Sequence, residues 1–246
     1  MFFNHADSEF WLGASSCDHY VDFRTIGAEL SLRERGVAST RVIPLTTDLA
    51  RVPDIRASLG IPRRATLSLF LSSIWKAMTD PGFCFFRAVS HILEKHPHHY
   101  HLFLTVPPEP ETLAGLMPME RDAARRFMIT GPYADLRPFY SSSDFLVETF
   151  PVVGGTVRVE AMAMGLPVVA FSHPEQPLYS STDALGPDYP YTASSEEDVE
   201  RIASFFIEDA AARQACGSRL RERFRDTASP PLVRAELLRL LEEVAA

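Results

Sequence analysis

The sequence predicts an α/β fold, a doubly wound parallel sheet carrying a short N-terminal extension. Two observations support this. From about residue 65 onward, short apolar runs alternate with helical segments. The runs are also continuous rather than alternating, as strands covered on both faces must be. Repeated strand–helix units of this kind assemble into a parallel sheet with helices on both sides. The bulk numbers agree: with 246 residues, 46% hydrophobic and 23% charged, the chain can bury a real core.

Taken in order, residues 1–62 hold a Trp/Phe-rich piece (Phe10, Trp11), a strand-like Tyr20-Val21-Asp22-Phe23 and a linker-like stretch over 41–62. That is too little for a second sheet domain and reads as the end of a preceding one. Residues 63–226 are expected to form the main domain. Its strands are predicted at 66–71, 102–106, 127–130, 145–148 and 167–171, with helical segments at 81–95, 109–125, 133–140 and 156–164. The Pro/Ser-rich stretch 172–190 reads as an irregular loop near a strand end. Ser194-Ser195-Glu196-Glu197 then opens a helix, with serine as cap and acids in the first turn. Further helices run to Phe206 and Phe224, and past Pro230-Pro231 a last one occupies 227–246.

A formal charge of −8 argues against a nonspecific nucleic-acid binder, which needs a basic surface. It still permits a local anion site, for which a few amides and one lysine suffice. Cys17, Cys84 and Cys216 are odd in number and far apart, so no disulfide framework is expected. The early charges and the absence of a long apolar run predict a cytoplasmic protein without a membrane span.

The segment 144–171 carries the most chemical information. A buried strand runs into Gly154-Gly155, then a helix that stops at Gly165, then another buried strand. The two glycines are expected to let the backbone approach a ligand and to adopt conformations closed to other residues. Helix-start amides and the positive dipole end would face that ligand, which suits a diphosphate. Thr156 and Glu160 are four apart and share one helix face, so a hydroxyl donor and an acceptor for a ribose diol lie one turn apart. Ligands of open α/β sheets bind at the carboxyl ends of the strands, where this turn should lie. A bare Gly-Gly-Thr would be equally consistent with a tight turn and a solvated glutamate.

The longer run Gly-Gly-Thr-x-x-x-Glu-Ala-Met-Ala-x-Gly-x-Pro-Val-Val resembles the donor-site signature of GT-B glycosyltransferases, group 1 among them. The Phe150-Pro151 lead-in and the front half resemble the O-GlcNAc-transferase and HMW1C-like protein glycosyltransferases. The resemblance implies a Rossmann-like GT-B C-terminal domain binding a nucleotide-sugar, expected to be UDP-linked, with no cofactor and no metal. It implies a diphosphate site of Ser73, Lys76, Gly154, Gly155 and Thr156, because Ser73-Ile74-Trp75-Lys76 matches the family's Asn/Gln-x-x-Lys element. Lys76 would be catalytic in stabilising the leaving diphosphate. Glu160 would hold the ribose, while Tyr133 and Ala134, after the third strand, would hold the base partly through backbone groups. His5 matches a cleft-facing stretch and is a candidate general base or acceptor contact, although an exposed terminal histidine is equally compatible.

Departures from the pattern matter. Val152 stands where retaining enzymes carry a Glu, which leans towards inversion and leaves the stereochemistry open. Gly155 and Ser73 replace a His and a Gln of the O-GlcNAc-type enzymes, leaving more of the binding to backbone amides. Because GT-B enzymes place much of the acceptor site in another domain, an N-terminal partner half and a protein acceptor are both candidate partners. Phe2, Phe3, Phe10 and Trp11 are expected to be exposed for such docking. Four accounts stay open: a split-transferase subunit, a fragment of a longer enzyme, a binding module without turnover, and an epimerase of the same architecture. The run His91…His96-Pro97-His98-His99-Tyr100-His101 is read as structural histidines at a helix end rather than a metal site. His173 follows a strand at the right end of the sheet, but nothing else marks it.

Overall fold

The computed structural model describes residues 1–4, 13–78, 82–109, 111–112, 115, 119–176 and 182–245. A small parallel sheet comes first, with β1 (Phe2–Asn4), β2 (Tyr20–Asp22) and β3 (Arg41–Val42) in that spatial order. Helix α1 (Thr25–Glu34) connects β2 to β3. Asp22 is fully buried here and accepts from Asn4 at 2.7 Å, Ser31 at 3.0 Å and Thr40 at 2.6 Å, which ties both neighbouring strands and α1 to β2. Phe2 and Phe3 are not exposed docking residues. Phe2 stacks towards Tyr20 at 5.1 Å and Phe3 towards Phe23 at 6.3 Å, because β1 pairs with β2 and turns both rings onto the chain's own core. Phe10 and Trp11 lie outside the described residues.

The large sheet contains β4 (Thr66–Leu71), β5 (His99–Leu104), β6 (Phe127–Thr130), β7 (Phe145–Val147), β8 (Val168–Phe171) and β9 (Thr192–Ala193). Its spatial order is β6-β5-β4-β7-β8-β9 and every pairing is parallel. Counted within this sheet the order is 3-2-1-4-5-6, the doubly wound arrangement. The order reverses between β4 and β7, so the loops leaving those two strands diverge and leave a crevice at their carboxyl ends. Connecting segments include α2 (Phe85–Lys95), α3 (Arg121–Ala124), α4 (Arg137–Ser142) and α5 (Gly155–Met164). After them come α6 (Thr182–Leu185), α7 (Glu196–Glu208), α8 (Ala210–Thr227) and α9 (Pro230–Ala245). Ser195 caps α7 as expected, accepting from Asp198 N at 3.2 Å.

The core of the large sheet is rich in phenylalanine. Phe70, Phe85, Phe103, Phe145, Phe150 and Phe171 are all fully buried, each contributing about 2–3 kcal/mol through burial of apolar surface. The stretch 43–62 is irregular but anchored rather than free. Arg56 pairs with Asp144 at 2.9 Å and donates to Ser142 O at 2.7 Å, while Ile55 N donates to the Ser142 hydroxyl at 2.8 Å.

Strand β5 starts at His99, three residues before the sequence suggests. Polar His99 and His101 look unlike strand interior, yet both are buried beside β4, whose Thr66 and Ser68 lie opposite them in register. Ser68 Oγ lies 2.8 Å from His99 Nε2 and 2.7 Å from His101 Nδ1, and Thr66 Oγ1 lies 2.9 Å from His99 Nδ1. His91 contacts Glu200 at 2.8 Å and His96 contacts Ser204 at 2.8 Å. The histidine run is thus shared among separate structural contacts. No metal-ligating group of three or more occurs among the described residues. No described helix is long and apolar enough to cross a membrane.

Candidate functional site

The crevice between β4 and β7 receives the loops that carry most of the candidate residues. Beyond β4 the chain turns into a 3-10 helix, Ile74–Ala77, with Ser73 at its cap position. Ser73 is exposed, and its carbonyl accepts from Lys76 N at 3.1 Å, which folds Lys76 back over the strand end. Burial lowers the Lys76 ammonium below the usual lysine range, and the Glu148 carboxylate opposes that fall. Lys76 therefore sits half-buried within electrostatic reach of the residue that directly follows β7.

Beyond β7 the chain reaches Gly154, the cap residue of α5, and no side chain caps this helix. The amides of Gly155, Thr156 and Val157 form the first turn and have no partner inside the helix. They lie, with the positive end of the helix dipole, on the stretch that follows the carboxyl end of β7. The expectation of special glycine conformations needs correction. Gly154 adopts φ −96° and ψ 129°, an ordinary extended conformation, and Gly155 does not have positive φ. A Cβ at Gly154 would make only ordinary contacts, the nearest at 3.5 Å to Thr149, and one at Gly155 would meet Leu45 at 3.3 Å. At Gly155 the lack of a side chain lets Leu45 pack closely against the start of the helix.

Thr156 is exposed and Glu160 half-buried one turn along the helix, on a shared face as their spacing requires. Tyr140 of α4 donates to Glu160 Oε2 at 2.6 Å. Burial raises the Glu160 carboxyl and the tyrosine bond lowers it. Among the described residues nothing donates to its Oε1 oxygen, which leaves an acceptor for a ligand hydroxyl. Neighbouring Phe139 packs against Tyr133 at 4.5 Å, and the Tyr133 hydroxyl lies 2.6 Å from Thr130 Oγ1. Consecutive α4 residues thus contact the loop after β6 and the acid on α5. Tyr133 and Ala134 stay exposed beyond β6, two strands from β4 or about 10 Å at the usual strand spacing. His5 lies outside the described residues. His173 is buried against Phe83, ring centroids 5.1 Å apart, and its Nδ1 accepts from Glu175 N at 3.1 Å.

Two residues absent from the sequence reading lie beneath this turn. Glu148 and Arg158 are each 2% exposed and form an ion pair at 2.9 Å. Arg158 also donates to Gly154 O at 3.1 Å, and Glu148 Oε2 accepts from Phe171 N at 3.3 Å. The signal was available: one acid ends an apolar strand, and one arginine stands between valines ten residues later. Neither is affordable in a core unless they pair.

Comparison with known proteins follows from this geometry. The stretch over 67–188 matches the family model described as glycosyl transferases group 1. That match spans just under half of the chain. The fold resembles sucrose-phosphate synthase from Thermosynechococcus elongatus, with TM-score 0.73 and 18% identity over 93% of this chain and 58% of that one. It also resembles a glycosyltransferase from Rickettsia africae, with TM-score 0.75 and 14% identity over 92% and 63%. Anabaena HepE, solved with UDP and glucose, aligns with TM-score 0.73 and 15% identity over 92% and 63%. The chain thus spans about 58–63% of the length of these solved structures. No curated protein matches it. At such identities the likeness establishes the fold, a Rossmann-like GT-B domain, and the group 1 match covers the strands and turns from β4 to just short of β9.

Proposed function

We propose that this chain binds the diphosphate and ribose of a UDP-sugar and serves metal-independent glycosyl transfer from it. The observation that carries this reading is the placement of Lys76 after β4 and of the uncapped first turn of α5 after β7, the two strands at which the sheet order reverses. As the bond from the sugar to the diphosphate breaks, negative charge grows on the leaving phosphate. Lys76 and the amides of Gly155, Thr156 and Val157 would meet that charge from fixed positions, with no reorganisation at the moment of reaction. Glu160, held by Tyr140, would accept from ribose hydroxyls, and Tyr133 and Ala134 would flank the base. HepE, solved with UDP and UDP-glucose on the same fold, supports the uridine assignment. The Phe150-Pro151 lead-in favours the protein-glycosylating branch, with a protein acceptor. A second reading is a donor-binding subunit or module that turns over only with another domain, and it is favoured by the share of its relatives' length that this chain spans.

Calorimetric titration with UDP, UDP-GlcNAc, UDP-Glc and GDP tests the reading. A uridine ligand should bind, and Lys76→Ala should weaken it about 10- to 100-fold, the loss of a charge-assisted contact worth about 1.5–3 kcal/mol. Glu160→Ala should weaken UDP while leaving inorganic pyrophosphate unaffected. A folded chain that ignores all four ligands at millimolar concentration overturns the proposal.

A further inference from the structure

Donor-site residues need a scaffold that holds them, and here a buried ion pair occupies that place. Glu148 directly follows β7 and Arg158 lies one turn into α5, so their 2.9 Å contact joins the two ends of the stretch from β7 to the start of the helix at Gly155. Arg158 reaches the Gly154 carbonyl at 3.1 Å, the group that starts the helix. Glu148 accepts from Phe171 N, and its own amide donates to Val169 O at 2.9 Å, so the carboxylate is tied to β8 as well. An isolated charge in this setting would be strongly disfavoured, so two charges 2% exposed imply a pair held in one arrangement. Glu148 also acts on Lys76 across the crevice.

We propose that Glu148 and Arg158 are positioning residues for the diphosphate site: their pair, tied to the Gly154 carbonyl, aims the first-turn amides of α5. The inference rests on the donor-site reading above. Arg158 on α5 is the partner of Glu148, which directly follows β7. Glu148 also opposes the lowering that burial imposes on Lys76, which agrees with this placement.

Titrations of UDP and of uridine at about pH 7.5 test this, since only UDP carries the diphosphate at which the pair aims the amides. Arg158→Lys keeps the charge but loses the planar fork, and should weaken UDP about 10-fold while leaving uridine unchanged. Glu148→Gln removes the charge that holds Arg158 and should weaken UDP in the same selective way. Thermal melts accompany each variant, and if Glu148→Gln does not fold then Arg158→Lys alone carries the test. Undiminished UDP affinity in a folded Arg158→Lys, or an equal loss of UDP and uridine, overturns the positioning proposal and leaves the donor site standing. Absence of any wild-type UDP binding overturns both.

Discussion

Tyr140 shows how much a single hydroxyl can decide. It donates to Glu160 at 2.6 Å and also reaches Val157 O at 3.3 Å, so it holds the acid and touches the first turn of α5. Burial of Glu160 favours the protonated acid, and the tyrosine bond favours the carboxylate that a ribose diol needs as acceptor. Tyr140→Phe should cost about 1–2 kcal/mol of stability, the usual consequence of leaving a half-buried acceptor short of its donor. It should also raise the Glu160 carboxyl further and weaken UDP while sparing pyrophosphate, which has no ribose. Paired titrations with the two ligands, beside a thermal melt, read both effects, and equal weakening of the two would refute the ribose assignment. Thr156 and Glu160 were legible in the sequence because four residues on a helix always share a face. Tyr140, Glu148 and Arg158 were not, because their partners are set by how β7, α4 and α5 meet in space.

The packing of elements around α5 depends on two glycines. Gly165 ends the helix at φ 69°, a left-handed position in which a side chain is strained, and its role as the helix stop was legible from the sequence. Its counterpart was not. Gly217, in the middle of α8, lies so close to the Gly165 backbone that an added Cβ would stand 2.1 Å from Gly165 O. A mid-helix glycine ordinarily lowers helix stability by up to about 1 kcal/mol relative to alanine. Here it is retained because α5 and α8 cross at backbone contact. Gly217→Ala should therefore destabilise the fold by about 1–3 kcal/mol despite its better helix propensity, because the two helices must separate. Urea unfolding measures this, and a stabilised variant would show that the crossing is looser than its geometry. Strand β5 taught the opposite lesson. Its polar start hid it, since only the register with Ser68 and Thr66 shows why two histidines can sit inside a sheet.

At the scale of the whole molecule, the alternation of strands and helices was legible because parallel strands must be apolar on both faces. The course of the ends was not. Helix α9 returns to the small sheet, where Val233 and Leu240 pack with Val21 and Ile43 and Arg41 pairs with Glu243 at 2.7 Å. Nothing local in either segment announces that contact. The same holds for the acid response of the fold, which follows from His99 and His101. Both are buried, and burial depresses each, His101 to about 3 and His99 well below its usual value. Their folded values lie below the unfolded value of about 6.5, so the unfolded chain takes up protons that the native one refuses. The stability they contribute is full above about pH 6.5 and falls as the solution is acidified towards the folded values. Each fully depressed histidine should cost about 2 kcal/mol between pH 6.5 and 5, at about 1.4 kcal/mol per pH unit. His96, lowered mainly by burial, adds a smaller part. Asp135, Glu197 and Asp198 are themselves held low, so their contributions are lost from the ordinary carboxylate range downward. Glu160, raised by burial, takes up its proton earlier in the folded state and offsets part of the histidine loss. His101→Asn keeps an acceptor near the Ser68 hydroxyl and removes the titration. Denaturant unfolding at a series of pH values should show its slope from pH 6.5 to 5 reduced by roughly a third to a half relative to wild type. An unchanged slope would mean that the buried histidines open to protons before the sheet does.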